Sequence, residues 1–140
     1  LGSRQPEIYG TVTLAEIEQS LKKSLPPGIK VDFRQSDDEA TLISWLHESA
    51  DRAIPVIINP AAFSHYSYAL RDACQIVTEL GIPVIEVHLS NPHAREPFRH
   101  NSVISGVSLG TIAGFGIHSY HLALSQILTL RERQENGDNK

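Results

Sequence analysis

The chain has 140 residues, a length that suits one compact domain, and we expect a single domain over residues 1–140. With 41% hydrophobic and 20% charged residues, its composition is typical of folded globular proteins and excludes a disordered chain. A formal net charge of −4 argues against a nucleic-acid partner, and no apolar run approaches the roughly 20 residues of a membrane span.

The single cysteine, Cys74, excludes an internal disulfide and a cysteine-rich zinc site. It lies within a helical pattern, so we expect a small buried core residue. A free thiol favours a reducing compartment, the cytoplasm. Residues 1–10 are polar and lack the apolar stretch of a signal peptide.

Helical and extended patterns alternate along the chain. Thr13 is the expected N-cap of the first helix, because its spacing to Glu16 matches a capping box, and Pro26 is expected to end the helix. The periodicity predicts helices at residues 14–25, 39–53, 67–80 and 119–133, and a polar tail at 134–140. Apolar stretches predict strands at residues 31–36, 56–58, 84–88 and 110–116. In the third helix, the residues expected to point inward are Leu70, Ala73, Ile76, Val77 and Leu80.

Continuous apolar strands that alternate with helices predict an α/β fold, a doubly wound parallel sheet with helices on both faces. In such folds ligands bind beyond the carboxyl ends of the strands. A doubly wound domain normally begins with a central strand, whereas this chain begins with a loop-like segment. We therefore expect a further apolar strand upstream of Leu1.

Glu86 and His88 lie two residues apart on a predicted strand, so their side chains leave the same face of the sheet. A carboxylate in this position can set the tautomer of the imidazole and prepare it as a general acid. The same pair can equally be a structural hydrogen bond at a sheet end. The spacing alone leaves both interpretations open.

Polar groups follow this strand. The Ser90 hydroxyl and the backbone N–H groups around Leu89 could hold an anion, or Ser90 could simply start a turn. Arg95 and Arg99 could clamp a carboxylate or lie in solvent. The histidine spacing in this loop matches no compact zinc pattern, which argues against a metal site.

Two further groups of polar residues are candidates for ligand binding. Asn59 and His65, in the loop after the preceding strand, offer donors and acceptors for hydroxyls or a carboxylate. Arg4 lies near Tyr9 in the N-terminal loop. A tyrosine is an unusual base, because its ordinary pKa is about 10, and a nearby arginine favours the phenolate.

Four blocks of the sequence, in order, resemble the type II 3-dehydroquinate dehydratase family. They are LGSRQPEIYG at residues 1–10, FRQSDDEATLISWLH at 33–47, INPAAFSHYSYALRDA at 58–73 and EVHLSNPHAREPFRHNS at 86–102. The resemblance extends to about Leu130. It implies a flavodoxin-like fold with a five-stranded parallel sheet, trimers that assemble into a dodecamer, and no metal or organic cofactor.

The resemblance also implies a reaction: dehydration of 3-dehydroquinate to 3-dehydroshikimate by anti elimination through an enolate, in shikimate biosynthesis or quinate catabolism. Tyr9 would remove the proton with Arg4 beside it, and His88, held by Glu86, would protonate the departing hydroxyl. The residues that would bind the substrate are Asn59, His65, Leu89, Ser90 and Arg99, together with Asp72 from a neighbouring subunit. The competing hypothesis is a small-acid-binding or scaffolding module without catalysis on the same fold.

The sequence departs from the family pattern at several positions. The family begins with a strand and an Asn-rich loop, both of which we expect before Leu1. Ala61 stands where the family usually has glycine. None of the differences removes a proposed catalytic side chain.

Overall fold

A computed structural model describes residues 12–137 and contains, within them, a three-stranded parallel sheet. Its strands are Val56–Ile58 (β1), Val84–His88 (β2) and Gly110–Ala113 (β3), in the order β1-β2-β3. The register pairs Ile58 of β1 with Glu86, and Glu86 with Thr111 of β3. The three predicted strands of this sheet are confirmed, the last of them three residues shorter than expected.

Four α-helices flank the sheet in the part of the chain that the structure describes: Leu14–Lys23 (α1), Glu39–Arg52 (α2), Tyr68–Glu79 (α3) and His118–Glu135 (α4). All four predicted helices are confirmed, and each observed boundary lies within about two residues of the predicted one. The last helix continues to Glu135, into the segment expected to be a polar tail. The capping box is also confirmed: the Thr13 hydroxyl accepts from the backbone of Glu16, whose carboxylate accepts from the Thr13 N–H.

Helices cover both faces of the sheet, as predicted. Successive residues of β2 point to opposite faces, which divides the core into two clusters. One cluster joins Val84 to α2 and α3, and the other joins Ile85 and Val87 to α1 and α4. Cys74 is buried in the first cluster, as expected.

The expectation that Ile76 and Leu80 point inward is wrong. Their exposed fractions are 45% and 62%. Leu70, Ala73, Cys74 and Val77 already complete a buried stripe at helical spacing, and Ile76 and Leu80 lie on its flank. Helix α3 therefore presents apolar side chains to solvent as well as to the core.

The predicted strand at residues 31–36 is also wrong: this segment has no ladder with any described residue. Its pattern is nevertheless that of a half-buried strand, because Val31 and Phe33 pack against the second cluster while Asp32 and Arg34 are exposed. An extended segment becomes a strand only by pairing with a neighbour. Here the segment and β1 line the same cleft of about 880 Å³ without bonding to each other.

Within residues 12–137, none of the helices combines the length and the apolar character that crossing a membrane requires.

Candidate active site

The carboxyl ends of β1 and β2 open into the same cleft. Because parallel strands end at the same edge of the sheet, the residues that follow them come together there. Six of the predicted site residues line this cleft: Asn59, His65, His88, Leu89, Ser90 and Arg99. The sequence left open whether Arg95 clamps a carboxylate or lies in solvent, and Arg95 also lines this cleft.

Glu86 lies behind His88 on the same face of β2, as their spacing predicted. The Nε2 of His88 donates to Oε2 of Glu86 over 2.5 Å. A carboxylate can only accept, so this contact places a proton on Nε2 and leaves Nδ1 as the nitrogen available to a ligand. The His88 side chain is 11% exposed and that of Glu86 is fully buried.

A buried carboxylate is costly unless several donors surround it. Burial, the largest influence on Glu86, raises its pKa. The hydrogen bonds from His88 and Ser105, the charge of His88 and the hydrogen bond from Ser102 lower it, and together they outweigh burial. The pKa of Glu86 therefore lies below its ordinary value, and the carboxyl group is ionised.

Asn59 is held from two sides. Its Nδ2 donates to the hydroxyl oxygen of Tyr120 over 3.0 Å, and its Oδ1 accepts from the backbone N–H of Ala61 over 3.1 Å. Tyr120 projects from α4 and is largely buried, which raises the pKa of its phenol. Ala61 has a left-handed backbone with φ of 50°, so the turn after Asn59 is strained.

His65 is oriented by the loop that follows β2. Its Nδ1 bonds the backbone carbonyl of Asn101 over 2.9 Å, which requires Nδ1 to carry the proton. In the neutral ring Nε2 is then an acceptor for a donor such as a hydroxyl. The edge of the ring also meets Phe98.

Arg99 lies above Phe98, with 4.6 Å between the guanidinium carbon and the ring centroid. Its Nε donates to the exposed carboxylate of Glu96, and this contact lowers the pKa of Glu96. An exposed pair of this kind contributes little to stability. The guanidinium can therefore exchange Glu96 for a ligand carboxylate at small cost.

Ser90 lies in a turn that meets the loop after β3. Arg95 donates to the Ser90 hydroxyl over a long 3.4 Å. A second cavity of about 650 Å³ shares Leu89, Ser90 and Arg95 with the main cleft and reaches Gly114. Gly114 has φ of +94°, and a side chain there would press on Asn91, so glycine permits the close approach of the two loops.

Two predicted site residues within the described part of the chain, Glu86 and Asp72, do not line the cleft, and Glu86 lies behind His88. Asp72 is exposed on α3 and pairs with Arg71 over 2.9 Å. Arg4 and Tyr9 lie outside the described residues. His93 and His100, in the loop whose histidine spacing matches no compact zinc pattern, have ring centroids 5.8 Å apart. Residues 12–137 contain no group of three or more side chains that could hold a metal ion.

Sequence reasoning missed the hydroxyls that support the site. Ser102 and Ser105 donate to Glu86, and Tyr120 supports Asn59. One signal was available for the serines: a carboxylate within an apolar strand needs donors, and a serine-rich stretch follows at residues 102–108. Nothing in the sequence pointed from Asn59 to Tyr120.

The chain is similar to known proteins over most of its length. The family described as dehydroquinase class II matches residues 1–128. The chain is 53% identical over 125 residues to the 3-dehydroquinate dehydratase of Salinispora arenicola (strain CNS-205), covering 89% of this chain and 85% of that protein. It is 49% identical over 136 residues to the 3-dehydroquinate dehydratase of Rhizobium meliloti (strain 1021), covering 96% and 90%.

Comparison with solved structures shows that the fold of this chain is also similar to theirs. The type II dehydroquinase from Propionibacterium acnes superposes with a TM-score of 0.79 at 47% identity, covering 92% of this chain and 88% of that one. The type II dehydroquinase from Butyrivibrio crossotus DSM 2876 gives 0.81 at 38%, covering 90% and 87%. The flavodoxin-like fold expected from the resemblance is thereby confirmed. A family match over most of the chain, curated relatives near 50% identity and this fold lead to one conclusion: the chain belongs to the dehydroquinase class II family.

Proposed function

We propose that the chain dehydrates 3-dehydroquinate to 3-dehydroshikimate by anti elimination through an enolate. The observation that carries the proposal is the Glu86–His88 pair at the mouth of a cleft, in a chain of the dehydroquinase class II family. A binding module has no need of an imidazole whose tautomer is set by a buried carboxylate.

The elimination needs a base for the proton alpha to the ketone and an acid for the departing hydroxyl. His88 is the acid. Glu86 keeps Nε2–H in place and offsets the charge of the imidazolium, while Nδ1–H delivers the proton to the leaving oxygen. Tyr9 is the base, and Arg4 favours its phenolate. The proton taken from carbon and the hydroxyl that leaves together account for the water released.

The remaining residues bind the substrate. Arg99, whose present partner is an exposed carboxylate, takes the substrate carboxylate together with the N–H groups of Leu89 and Ser90. Asn59 and His65 hold hydroxyls, and both are fixed by protein hydrogen bonds before a ligand arrives. Such preorganisation lowers the ordering cost of binding.

To test this function, the protein is mixed with 3-dehydroquinate, and formation of the conjugated enone product is measured by its ultraviolet absorbance. Wild-type protein is expected to generate the product. Tyr9→Phe and His88→Ala are each expected to lose turnover by about 10²–10⁴-fold while still binding the substrate, since both groups act mainly in the transition state. Binding without turnover in the wild-type protein would favour the scaffolding alternative instead.

The oligomer is part of the proposal: Asp72 reaches the substrate of a neighbouring subunit within trimers that form a dodecamer. An exposed stripe at helical spacing on α3, made of Tyr68, Asp72 and Ile76, supports this role. Apolar side chains around a carboxylate are what a subunit contact would cover. Native mass spectrometry would test it, and a monomer at micromolar concentration would contradict it.

We further propose that the protein acts in the cytoplasm, in shikimate biosynthesis or quinate catabolism. The free thiol of Cys74 supports a reducing compartment. Growth of a shikimate-auxotrophic strain, with and without the chain, tests the biosynthetic role.

A further inference from the structure

Three hydroxyl groups that do not line the cleft are linked to Glu86, two directly and one through another hydroxyl. The Ser105 hydroxyl donates to Oε1 over 2.6 Å. The Ser102 hydroxyl lies 3.0 Å from Oε1 and 2.9 Å from Oε2. Thr111 donates in turn to the Ser105 oxygen over 3.1 Å. None of the three belongs to the chemistry assigned so far.

The surroundings of each hydroxyl decide where its proton points. The Ser102 oxygen accepts two backbone N–H groups, those of Ile104 and Ser105, each over 3.1 Å. With its lone pairs occupied, this hydroxyl can only donate to Glu86. The Ser105 oxygen accepts from Thr111, so its own proton is directed to Oε1. The two serines and His88 therefore all donate to Glu86.

The fold itself assembles this arrangement. The β2–β3 register makes Thr111 the partner of Glu86, so both side chains lie on one face of the sheet. A single helical turn, Ser105–Val107, begins with Ser105 and brings its backbone N–H onto Ser102. Ser102 thus organises the turn and contacts the carboxylate.

We infer that Ser105 and Ser102 are positioning residues that keep Glu86 as a carboxylate, so that His88 holds its proton on Nε2 and presents Nδ1 to the substrate. The inference rests on the proposed role of His88 as the acid. If Glu86 became neutral, the anion that holds Nε2–H would be lost, and the ring could change tautomer.

The direction of the Glu86 pKa agrees with this assignment, because the hydrogen bonds from Ser105 and Ser102 both lower it against the effect of burial. Among residues 12–137, two titratable groups face Glu86: His88 from the same strand and the Cys74 thiol from α3. Burial raises the pKa of Cys74 to about 12, so the thiol is neutral across the working range. Loss of activity on the acid side would therefore include the protonation of Glu86.

The experiment compares the pH dependence of kcat/KM for wild type and Ser105→Ala. Removing a donor raises the pKa of Glu86, so the carboxylate is lost at a higher pH as the pH falls. We expect the acid limb to move up by about one pH unit, equivalent to about 1.4 kcal/mol. At pH values well above the limb, activity should return close to that of the wild type.

Two variants control for general damage to the turn. Ser108→Ala removes a neighbouring hydroxyl that donates to the Ile104 carbonyl and does not bond Glu86, and it should leave the limb in place. Ser105→Thr retains a hydroxyl, so its acid limb should lie close to that of the wild type. Equal shifts in Ser105→Ala and Ser108→Ala, or no shift in Ser105→Ala, would overturn the inference.

A second measurement is independent of turnover. The ¹³C resonance of the Glu86 carboxyl and the ¹⁵N resonances of His88 report ionisation and tautomer directly. In Ser105→Ala the carboxyl midpoint should rise by about one pH unit, with the Nε2–H tautomer lost over the same range. If these resonances do not change, the inference fails even in an active enzyme. If they change in a protein that does not turn over 3-dehydroquinate, the proposed function fails and the positioning role stands.

Discussion

Replacing Glu86 by glutamine is the most informative single change in the site, because it keeps the shape and removes the charge. Glu86 accepts from His88, Ser102 and Ser105. Glutamine has one accepting oxygen and an amide group that can only donate. If the oxygen keeps Ser105, the amide faces Nε2 of His88. That nitrogen must then lose its proton to accept the new bond.

The size of the effect follows from these contacts. The imidazole would settle as the opposite tautomer, with its proton on Nδ1 and no anion to offset an imidazolium. We expect kcat to fall by about 10²–10⁴-fold, the contribution of one general acid. Exchanging charge-assisted hydrogen bonds for mismatched ones should also lower the free energy of unfolding by about 1–3 kcal/mol.

The assay is enone formation under saturating 3-dehydroquinate, run for Glu86→Gln, His88→Ala and the double variant. If Glu86 acts only through His88, the double variant should be no slower than His88→Ala, because both changes remove the same function. The reasoning would be refuted if the fold loss of kcat in the double variant equalled the product of the losses in the two single variants. So would a Glu86→Gln enzyme whose kcat stays within about threefold of wild type, where the expected loss is 10²-fold or more.

Two further predictions concern stability. Ala61→Gly should raise the free energy of unfolding by about 1 kcal/mol in urea titrations, because the left-handed backbone at φ 50° strains any side chain there. The matched control is Ala53→Gly, at φ 55° on the C-cap of α2 and remote from Asn59, which should raise it as well. Opposite effects of the two substitutions would exclude the strain explanation. Because the pKa of Glu86 is lowered in the folded protein, its carboxylate stabilises the fold above the unfolded pKa of about 4.3, and this contribution is lost as the pH falls through the folded value. Glu86→Gln should lack this component of the pH dependence as the pH falls below about 4.3, and parallel loss of stability in both proteins would contradict the prediction.

Contacts between residues that are close in the sequence could be predicted without knowledge of the fold. The capping box at Thr13 depends on residues three apart, and the Glu86–His88 contact depends on the two-residue period of a strand. The alternation of helices with apolar strands likewise indicated a covered parallel sheet. The resemblance then named six residues that the structure brings into one cleft. The roles of Tyr9 and Arg4, which lie outside the described residues, remain predictions.

What the tertiary structure decided involves partners that are distant in the chain. Asn59 meets Tyr120 across 61 residues, and Glu86 meets Ser105 across 19. No periodicity encodes such pairs, since strand order and register alone determine which side chains share a face. The same reason explains why the strand predicted at residues 31–36 is wrong. Buried and exposed side chains alternate there as expected, but the segment has no paired neighbour among the described residues. It also explains Ile76 and Leu80: hydrophobicity marks a helix face, but only packing decides which of its residues the core has room to bury.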